Sequence, residues 1–301
     1  MSTTDRKEAV RSLLTWLVRK KSIRSALRAL ARQGLLPRSV WKRLPYRGTF
    51  RVTLPDGRRS FRYKAGPNDQ MGRPLFWRGW QGAERETVRV FCRLARSARY
   101  VLDVGAYTGV YTLLAMAANP KSRVVSFEPV PSIYQRLTDN IALNGWKERC
   151  RAVNAGVLDE EGQAEMHVPE RAALPTSSSF DQEGFRGYTG ATVEVPTVTL
   201  DAACENFQEE IDLIKIDVEG FEDKVLLGMR GVLERARPDI IVECNPGGPL
   251  RDVQQILVSL GYRFYHLRGQ GPVLTDTIVP DPEGRFRNYF CTTEVFPEMA
   301  V

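Results

Sequence analysis

Residues 103–109 read DVGAYTG and lie between an apolar segment, residues 100–104, and a segment with helical spacing, residues 110–118. Glycine adopts backbone conformations that other residues avoid, and it lets a ligand approach the main chain where a strand turns into a helix. The glycines are spaced GxxxG, whereas a dinucleotide fold has GxGxxG, whose middle glycine leaves room for a pyrophosphate. Tyr107 occupies that middle position. The turn is therefore predicted to hold a ligand without phosphates.

The next apolar segment indicates that this ligand is a nucleoside. It ends in Phe127, Glu128 and Pro129, roughly twenty residues beyond the glycines, where an acid is expected to bind ribose hydroxyls. S-adenosylmethionine is a phosphate-free nucleoside that fits both features. The alternative is a tight strand-to-helix turn with a capping acid, but such a turn does not require Glu128 at the tip of the second strand.

Strands and helices alternate from residue 100 onward. Segments typical of core strands span 100–104, 123–127, 151–157, 211–218 and 239–244, with helical segments at 110–118, 132–143, 221–227 and 250–260. Further strand-like segments span 193–200, 262–267 and 289–293. The alternation predicts an α/β fold with a mostly parallel, doubly wound sheet covered on both faces. The last two strands have no long helix between them, which predicts an antiparallel C-terminal edge.

Three stretches resemble the FkbM family of S-adenosylmethionine-dependent methyltransferases. They are DVGAYTGVYT (103–112), FEPVPSIYQRLTDNIALNG (127–145) and IDLIKIDVEGFEDKVLLG (211–228), and the resemblance covers residues 100–265. It implies a Rossmann-like class I methyltransferase fold and O-methylation of hydroxyls on sugars, glycolipids or macrolide-type natural products.

The resemblance also implies cofactor contacts. Asp103, Gly105 and Gly109 would hold the methionine end, and Glu128 the ribose. Asp159 stands where the family commonly has an acid after the third strand, although the preceding Leu158 stands where the family often has glycine. The full set of candidate cofactor-binding residues is Asp103, Gly105, Ala106, Tyr107, Gly109, Thr112, Glu128, Pro129, Asp159 and Asp217.

Charged residues follow the fourth predicted strand, at a sheet edge that faces the ligand crevice in open α/β folds. Alternation places Lys215, Asp217 and Glu219 on one side if the strand continues that far. Methyl transfer from a sulfonium to an alcohol needs an oriented alcohol and a group that accepts its proton. We predict that Asp217 is this base, and that Lys215, Glu219 and Glu243 are further catalytic candidates. The alternative is an ion pair of Lys215 with Asp217 that only fixes the strand end.

No resident metal is predicted, although the oxygens of Asp217, Glu219 and Glu243 are of the kind that magnesium prefers. Such carboxylates serve proton transfer without an ion. His167 is a weaker candidate for a base. The five cysteines form no CxxC pair, which argues against a zinc site or a disulfide framework and favours a reducing cytosol.

The 301 residues are 43% hydrophobic and 26% charged, as in ordinary globular proteins, which argues against disorder throughout. No run of about twenty uncharged apolar residues occurs, and the N-terminus does not look like a secretory signal. The predicted location is therefore the cytoplasm.

The first 62 residues hold 17 basic and 3 acidic residues, although the net charge of the whole chain is only +7. We divide the chain into a basic N-terminal extension, residues 1–82, and a methyltransferase domain, residues 83–301. The extension is predicted to contain amphipathic helices, a β-hairpin over residues 48–63, and a linker-like stretch from Gly66 to Gly82. Its helical part either packs on the domain with a solvated basic face or contacts an anionic membrane through residues 6–43, peripherally. Nucleic acid is a weaker expectation because no aromatic series for stacking bases is present.

The leading hypothesis is O-methylation of a small-molecule or glycan acceptor. The alternatives are an NAD-dependent oxidoreductase on the same fold, against which Tyr107 argues, and a nucleoside-binding protein without catalysis. The sequence does not fix the acceptor or the oligomeric state.

Overall fold

The chain is described by a computed structural model, which covers residues 14–67, 69–82, 84–169, 190–205, 210–269, 271–281, 283 and 285–296. The first part of the basic segment, residues 1–13, lies outside this range. Among the described residues, no helix is both long enough and apolar enough to cross a membrane.

The N-terminal segment is helical over residues 14–19, Lys21–Arg32 and Arg38–Trp41. In the helix Lys21–Arg32, Ala31 is fully buried and Leu27 is half-buried. The Arg28 guanidinium donates to the Phe76 carbonyl at 2.9 Å and lies 4.3 Å from the Phe76 ring. This helix therefore packs on the body, as one of the two interpretations of the segment predicts, while Lys21, Ser22, Ser25, Ala26, Ala29, Leu30 and Arg32 stay exposed.

The hairpin predicted over residues 48–63 is present as β1 (Gly48–Thr53) and β2 (Ser60–Ala65), paired antiparallel with Phe50 opposite Tyr63. Inward residues alternate with exposed ones along both strands, as expected for a hairpin with one face on a core.

The prediction of a linker between Gly66 and Gly82 is wrong. The helix Gly72–Arg78 and a 3-10 turn, Gly79–Gly82, occupy most of this stretch. Asp69 accepts hydrogen bonds from the backbone N–H groups at the start of the helix, and Phe76 and Trp77 are buried. A side-chain cap and buried aromatic anchors thus stabilise a helix in a glycine-rich sequence.

The central sheet is the one that the alternation of strands and helices predicts. Its first strands are β3 (Tyr100–Val104), β4 (Arg123–Phe127) and β5 (Cys150–Val153). A small separate sheet follows, with β6 (Gly156–Val157), β7 (Gly162–Pro169) and β8 (Gly190–Val198). The chain returns to the central sheet with β9 (Leu213–Ile216), β10 (Asp239–Glu243), β11 (Arg263–Arg268), β12 (Gly271–Thr275) and β13 (Asn288–Thr292).

Within the described residues, the central sheet runs in the order β12, β11, β13, β10, β9, β3, β4, β5. The pairs from β10 to β5 are parallel, and β13 is antiparallel to both β10 and β11. The expected parallel sheet with an antiparallel C-terminal edge is therefore confirmed. Because β9 and β4 flank β3, their carboxyl ends lie side by side with the glycine turn.

Helices cover both faces of the sheet and bury two large apolar clusters. They span Arg85–Ala95, Val110–Ala118, Pro131–Leu143, Leu200–Ala203, Glu222–Leu227, Arg230–Ala236 and Leu250–Ser259. The hairpin residues Phe50 and Tyr63 belong to the same cluster as Leu113 in the helix after the glycine turn. The N-terminal hairpin is therefore packed into the core of the body.

Candidate active site

The glycine turn is shaped by contacts within the protein. Gly105 has φ +77°, and a Cβ there would lie 1.8 Å from the carbonyl oxygen of Asp217. Gly109 has φ +89° and precedes the helix Val110–Ala118, and its Cβ would lie 2.7 Å from a methyl of Leu137. Glycine is thus required at both positions because other parts of the chain come close, in addition to the left-handed backbone.

Asp103 and Thr112 support the turn from inside, and neither lines the cavity described below. The Asp103 carboxylate accepts hydrogen bonds from the Thr112 backbone N–H at 2.8 Å and from the Thr112 hydroxyl at 2.5 Å. Burial raises the pKa of Asp103 to about 6, and the hydrogen bonds from Thr112 oppose this shift. These hydrogen bonds tether the strand β3 to the helix that follows it, and the cofactor contact of the two residues stays a prediction.

Glu128 lies at the tip of β4 and is only 5% exposed. One carboxylate oxygen accepts the Tyr107 N–H at 3.0 Å, and the other accepts the Val130 N–H at 2.9 Å. Burial raises the pKa of Glu128 to about 7, against these two hydrogen bonds. Each oxygen keeps a lone pair for a further donor.

Beyond Ile216 the chain leaves the sheet in a tight turn. The Asp217 N–H still donates to the Val104 carbonyl at 3.0 Å, but Glu219 has φ +55° and Gly220 has φ +103°. The buried Glu222 carboxylate accepts the Gly220 N–H at 3.0 Å and closes the turn. The condition for alternation through Glu219, a strand that continues that far, is therefore not met, because the strand ends at Ile216. The turn, rather than the pleat, brings Asp217 and Glu219 to the cavity.

Lys215 is fully buried behind Asp217 and does not line the cavity. Its Nζ lies 3.5 Å from the Asp217 carboxylate, donates to the Ile216 carbonyl at 3.1 Å, and lies 5.3 Å from the centre of the Tyr111 ring. Burial lowers the pKa of Lys215, but the surrounding acids, Asp217 foremost, outweigh it and raise this pKa above its usual value. Lys215 is therefore a buried cation that faces the acids of the site.

Glu243 stands at the tip of β10 and shares a hydrogen bond with Asp217. Burial, followed by the charge of Asp217, raises the pKa of Glu243 well above its usual range. Arg287 donates to Glu243 at 3.2 Å and to Asn245 at 2.7 Å. Burial, followed by the charge of Asp217, raises the pKa of Glu219 to about 7.

One cavity of about 410 Å³ spans the carboxyl ends of β4, β3, β9 and β10. Of the candidate site residues, those that line it are Gly105, Ala106, Tyr107, Glu128, Pro129, Asp217, Glu219 and Glu243. Apolar side chains line it beside Glu128, namely Phe127, Ile133, Val157 and Met166. The volume is that of a small-molecule site.

Asp159 is not among the residues that line this cavity. Its carboxylate accepts a hydrogen bond from Lys224 at 2.8 Å. The preceding Leu158 carbonyl packs so closely on Gly228 that a Cβ there would lie 2.1 Å away. The ion pair with Lys224 fixes the connection after β6, and the cofactor contact implied by the family resemblance stays a prediction.

A family model described as the methyltransferase FkbM domain matches residues 103–264, more than half of the chain. The chain belongs to the FkbM methyltransferase family. Methyltransferase sdnD of Sordaria araneosa is 25% identical over 189 residues, which cover 54% of this chain and 73% of that protein. The 31-O-demethyl-FK506 methyltransferase FkbM of Streptomyces tacrolimicus is 27% identical over 208 residues, covering 60% and 78%.

Among solved structures, methyltransferase FkbM from Methylobacillus flagellatus KT is 16% identical, with a TM-score of 0.44. That comparison covers 65% of this chain and 43% of the other. The family assignment confirms the predicted S-adenosylmethionine-dependent methyltransferase and its class I fold.

The cavity of this FkbM-family protein fits S-adenosylmethionine. Glu128 is a buried acceptor with free lone pairs, as the ribose hydroxyls need, and the apolar residues beside it suit an adenine ring. Tyr107, with φ +49°, takes the place where a pyrophosphate would need glycine. When bound, this cofactor supplies a methyl group on a positively charged sulfur.

Sequence reasoning missed three cavity residues that precede the part matched by the FkbM family model. They are Gln70, Met71 and Glu84, and the Glu84 carboxylate accepts a hydrogen bond from the Tyr111 hydroxyl at 2.5 Å. It also missed Arg287, beyond the other end of the match. None of the four lies in a motif, and only the tertiary fold brings them to the cavity.

In the part of the chain that the structure describes, no group of three or more His, Cys, Asp or Glu side chains is arranged to hold a metal ion. His167 does not line the cavity and lies near the Thr192 hydroxyl, 3.3 Å away, on the small sheet.

Proposed function

We propose that this FkbM-family methyltransferase methylates a hydroxyl group of a sugar, a glycolipid or a natural-product small molecule. Relatives with such names support the proposal. They include the hexuronic acid methyltransferase AglP of Haloferax volcanii, 26% identical over 179 residues, and the 2-O-methyltransferase NoeI of Sinorhizobium fredii, 27% identical over 152 residues.

The observation that carries the proposal is the position of Asp217. Its side chain is 27% exposed in a cavity where Glu128 marks the nucleoside end, whereas Lys215 behind it is fully buried. A carboxylate at this place can accept the proton of an acceptor hydroxyl as the bond from oxygen to carbon forms. The proton moves from the hydroxyl oxygen to a carboxylate oxygen of Asp217.

The neighbours of Asp217 have complementary roles. The Lys215 cation, 3.5 Å away, holds the carboxylate in place. The raised pKa of Glu243 favours its protonated form, which donates a hydrogen bond to Asp217 or to an acceptor oxygen. Glu219 offers a second carboxyl group to acceptor hydroxyls at the same wall. A site with several carboxyl groups suits an acceptor with several hydroxyls.

The test is methyl transfer from labelled S-adenosylmethionine to a panel of hexuronic acids, methyl glycosides and macrolides, with products identified by mass spectrometry. Asp217→Asn is expected to bind S-adenosylhomocysteine much as the unmodified protein does while turnover falls by about 10²–10⁴-fold. Asp223→Asn is the control, because Asp223 lies shortly after Asp217, in the helix Glu222–Leu227, and does not line the cavity. Near-normal turnover of Asp217→Asn would leave Asp217 as a structural ion-pair partner only.

Two other functions give different results in the same experiments. An oxidoreductase would bind NAD and not S-adenosylhomocysteine. A protein without catalysis would bind S-adenosylhomocysteine but transfer no methyl group to any member of a broad panel. The presence of Glu128, Asp217 and Glu243 in one cavity favours the methyltransferase over both.

We also propose a cytoplasmic protein that contacts anionic membranes peripherally through residues 6–43. In the described part of this segment, Trp16, Leu30, Leu35 and Val40 are exposed large apolar residues. No acidic residue occurs between Ala9 and Pro55. The same segment also has exposed basic side chains, namely Arg19, Lys20, Lys21, Arg32, Arg38, Lys42 and Arg43. Apolar insertion and positive charge together suit an anionic bilayer.

Vesicle sedimentation tests this contact. Each basic group near an anionic surface contributes about 1 kcal/mol, so Glu in place of Arg19, Lys20 and Lys21, which removes three positive charges and adds three negative ones, should weaken binding at low salt by at least about 100-fold. Glu in place of the exposed Arg251 and Arg263, which lie elsewhere on the body, is the control. Equal binding to neutral and anionic vesicles, or no binding, would contradict the proposal.

A further inference from the structure

A buried hydrogen-bond chain links the N-terminal hairpin to the glycine turn. The Tyr63 side chain on β2 is 0% exposed, and its hydroxyl lies 2.5 Å from the Thr108 hydroxyl and 3.0 Å from the Asp69 carboxylate. Thr108 belongs to the turn between Gly105 and Gly109 and does not line the cavity. Its side chain points away from the cavity, toward Tyr63. The chain therefore reaches the turn from behind.

The direction of the hydrogen bonds in this chain follows from the partners of Asp69. Its carboxylate accepts the backbone N–H groups of Gly66, Met71 and Gly72 at 3.4, 3.0 and 2.6 Å, in addition to the Tyr63 hydroxyl. Four donors use the four lone-pair positions of an ionised carboxylate. Burial raises the pKa of Asp69, and these four hydrogen bonds oppose the shift. Because Tyr63 gives its only proton to Asp69, the Thr108 hydroxyl donates to Tyr63.

The hydrogen-bond chain packs closely against the start of the helix Gly72–Arg78. A Cβ at Gly72 would lie 2.7 Å from Tyr63, from Asp69 and from Ala65. The start of the helix Gly72–Arg78 therefore holds the Tyr63 ring and the Asp69 carboxylate in one position. Movement of either group would require movement of this helix.

Two further hydrogen-bond links join the same elements. The Asn140 side chain donates to the Thr108 carbonyl at 2.9 Å and accepts the Lys64 N–H of β2 at 2.8 Å. On the cavity side, the backbone of Gln70 hydrogen-bonds to the Tyr107 hydroxyl. The segment from Tyr63 to Gln70 thus holds the Tyr107 and Thr108 pair from two directions.

We propose that Tyr63 and Asp69 are positioning residues of the cofactor site, acting through Thr108. The Tyr107 N–H is one of the two backbone donors that orient Glu128, so the position of the turn sets the position of the carboxylate that faces the ribose. Both positioning residues precede residue 103, where the match to the FkbM family model begins. The inference rests on the cofactor site described above and extends it into the N-terminal hairpin.

The prediction concerns affinity for S-adenosylhomocysteine, measured by calorimetry, and thermal stability, measured in parallel. Tyr63→Phe and Thr108→Val each remove one hydroxyl and keep the shape of the side chain. Each is expected to weaken binding by about 3- to 10-fold, the equivalent of one neutral hydrogen bond. The double variant is expected to lose no more than the larger single loss, because both changes break the same contact. Thr108→Ser keeps a hydroxyl and should retain most of the affinity.

Tyr262→Phe is the matched control. The Tyr262 hydroxyl is also buried and donates to the Pro238 carbonyl at 3.0 Å, ahead of β10 at the sheet edge opposite the cavity. It should lower the melting temperature without changing the affinity. If Tyr63→Phe and Thr108→Val also lower only the melting temperature and leave affinity within twofold, the contact is structural and the inference is overturned. Should Tyr63→Phe not fold, the comparison of Thr108→Val with Thr108→Ser decides.

This outcome is separable from the fate of the proposed function. If the unmodified protein binds no S-adenosylhomocysteine, the cofactor assignment itself fails. If it binds and the variants bind equally well, only the positioning role fails. Neither result depends on knowing the methyl acceptor.

Discussion

Gly105→Ala perturbs the contact that joins the cofactor turn to the chemical site. The added Cβ would lie 1.8 Å from the Asp217 carbonyl oxygen and 2.8 Å from its carbonyl carbon. To reach an ordinary contact distance of about 3.5 Å, the two backbones must move apart by at least about 1.6 Å. Because Asp217 N–H is bound to Val104, the retreat displaces both the end of β9 and the turn after β3.

The magnitude has two parts. A left-handed conformation costs a non-glycine residue about 1–2 kcal/mol, and Gly105 has φ +77°. The collision adds a cost of the order of overpacking a core, about 1–3 kcal/mol. We expect Gly105→Ala to lower the free energy of unfolding by about 2–5 kcal/mol. Because a misplacement of about 1 Å can cost 10²-fold in rate, turnover should fall at least that far in the folded variant.

Gly145→Ala measures the cost of the left-handed backbone conformation alone, without the collision. Gly145 has φ +72°, a Cβ there would meet nothing within 4 Å, and it lies after the helix Pro131–Leu143, outside the cavity. Chemical denaturation of both variants, with calorimetry for S-adenosylhomocysteine, gives the comparison. If Gly105→Ala costs no more than Gly145→Ala and binds the cofactor product normally, the reasoning from the close contact is refuted.

Three further predictions concern charged residues of the site. Glu128→Gln should weaken S-adenosylhomocysteine binding by about 10- to 100-fold, since hydrogen bonds to charged groups contribute about 1.5–3 kcal/mol. The affinity of the unmodified protein, unlike that of the variant, should rise as pH increases through about 7, where Glu128 ionises. Calorimetry across pH checks both results, and a pH-independent affinity of the unmodified protein would contradict them. Burial also raises the pKa of Glu219 to about 7, so the folded protein holds a proton between pH 4.5 and 7 that the unfolded chain releases, and the stability of the protein should fall as pH rises through that window. Thermal melts should show a smaller fall of the melting temperature with pH for Glu219→Gln. The same fall in both proteins would refute the raised pKa of Glu219. Lys215→Met should lower the free energy of unfolding by about 1–3 kcal/mol. This loss is smaller than for a fully buried ion pair, because the Asp217 side chain is 27% exposed. A denaturation midpoint equal to that of the unmodified protein would contradict this prediction.

The sequence predicted the core strands because their apolar residues and the glycine turn are local signals. Tyr100–Val104, Arg123–Phe127 and the helix Val110–Ala118 have the bounds that the pattern indicated. The third strand divides into β5 and β6, and the pattern did not show the break between them. The strands β7 and β12 and the helix Arg230–Ala236 were also not predicted, since they combine exposed and polar residues with few buried ones.

The site was predictable where a residue follows directly from a strand end. Glu128, Asp217 and Glu243 line the cavity because the carboxyl ends of parallel strands meet at one edge. Asp103 did not follow this logic, because its side chain points inward and is satisfied by Thr112. Glu84 comes to the cavity through packing between distant segments, which leaves no local trace in a single sequence.

The most direct test of the account is a calorimetric titration of the unmodified protein with S-adenosylhomocysteine and, separately, with NAD. The cavity has a buried acid for a ribose and a tyrosine in place of the glycine that a pyrophosphate needs. We expect one molecule of S-adenosylhomocysteine to bind per chain, with affinity that Glu128→Gln reduces, and no measurable binding of NAD. Binding of NAD without binding of S-adenosylhomocysteine would contradict the account.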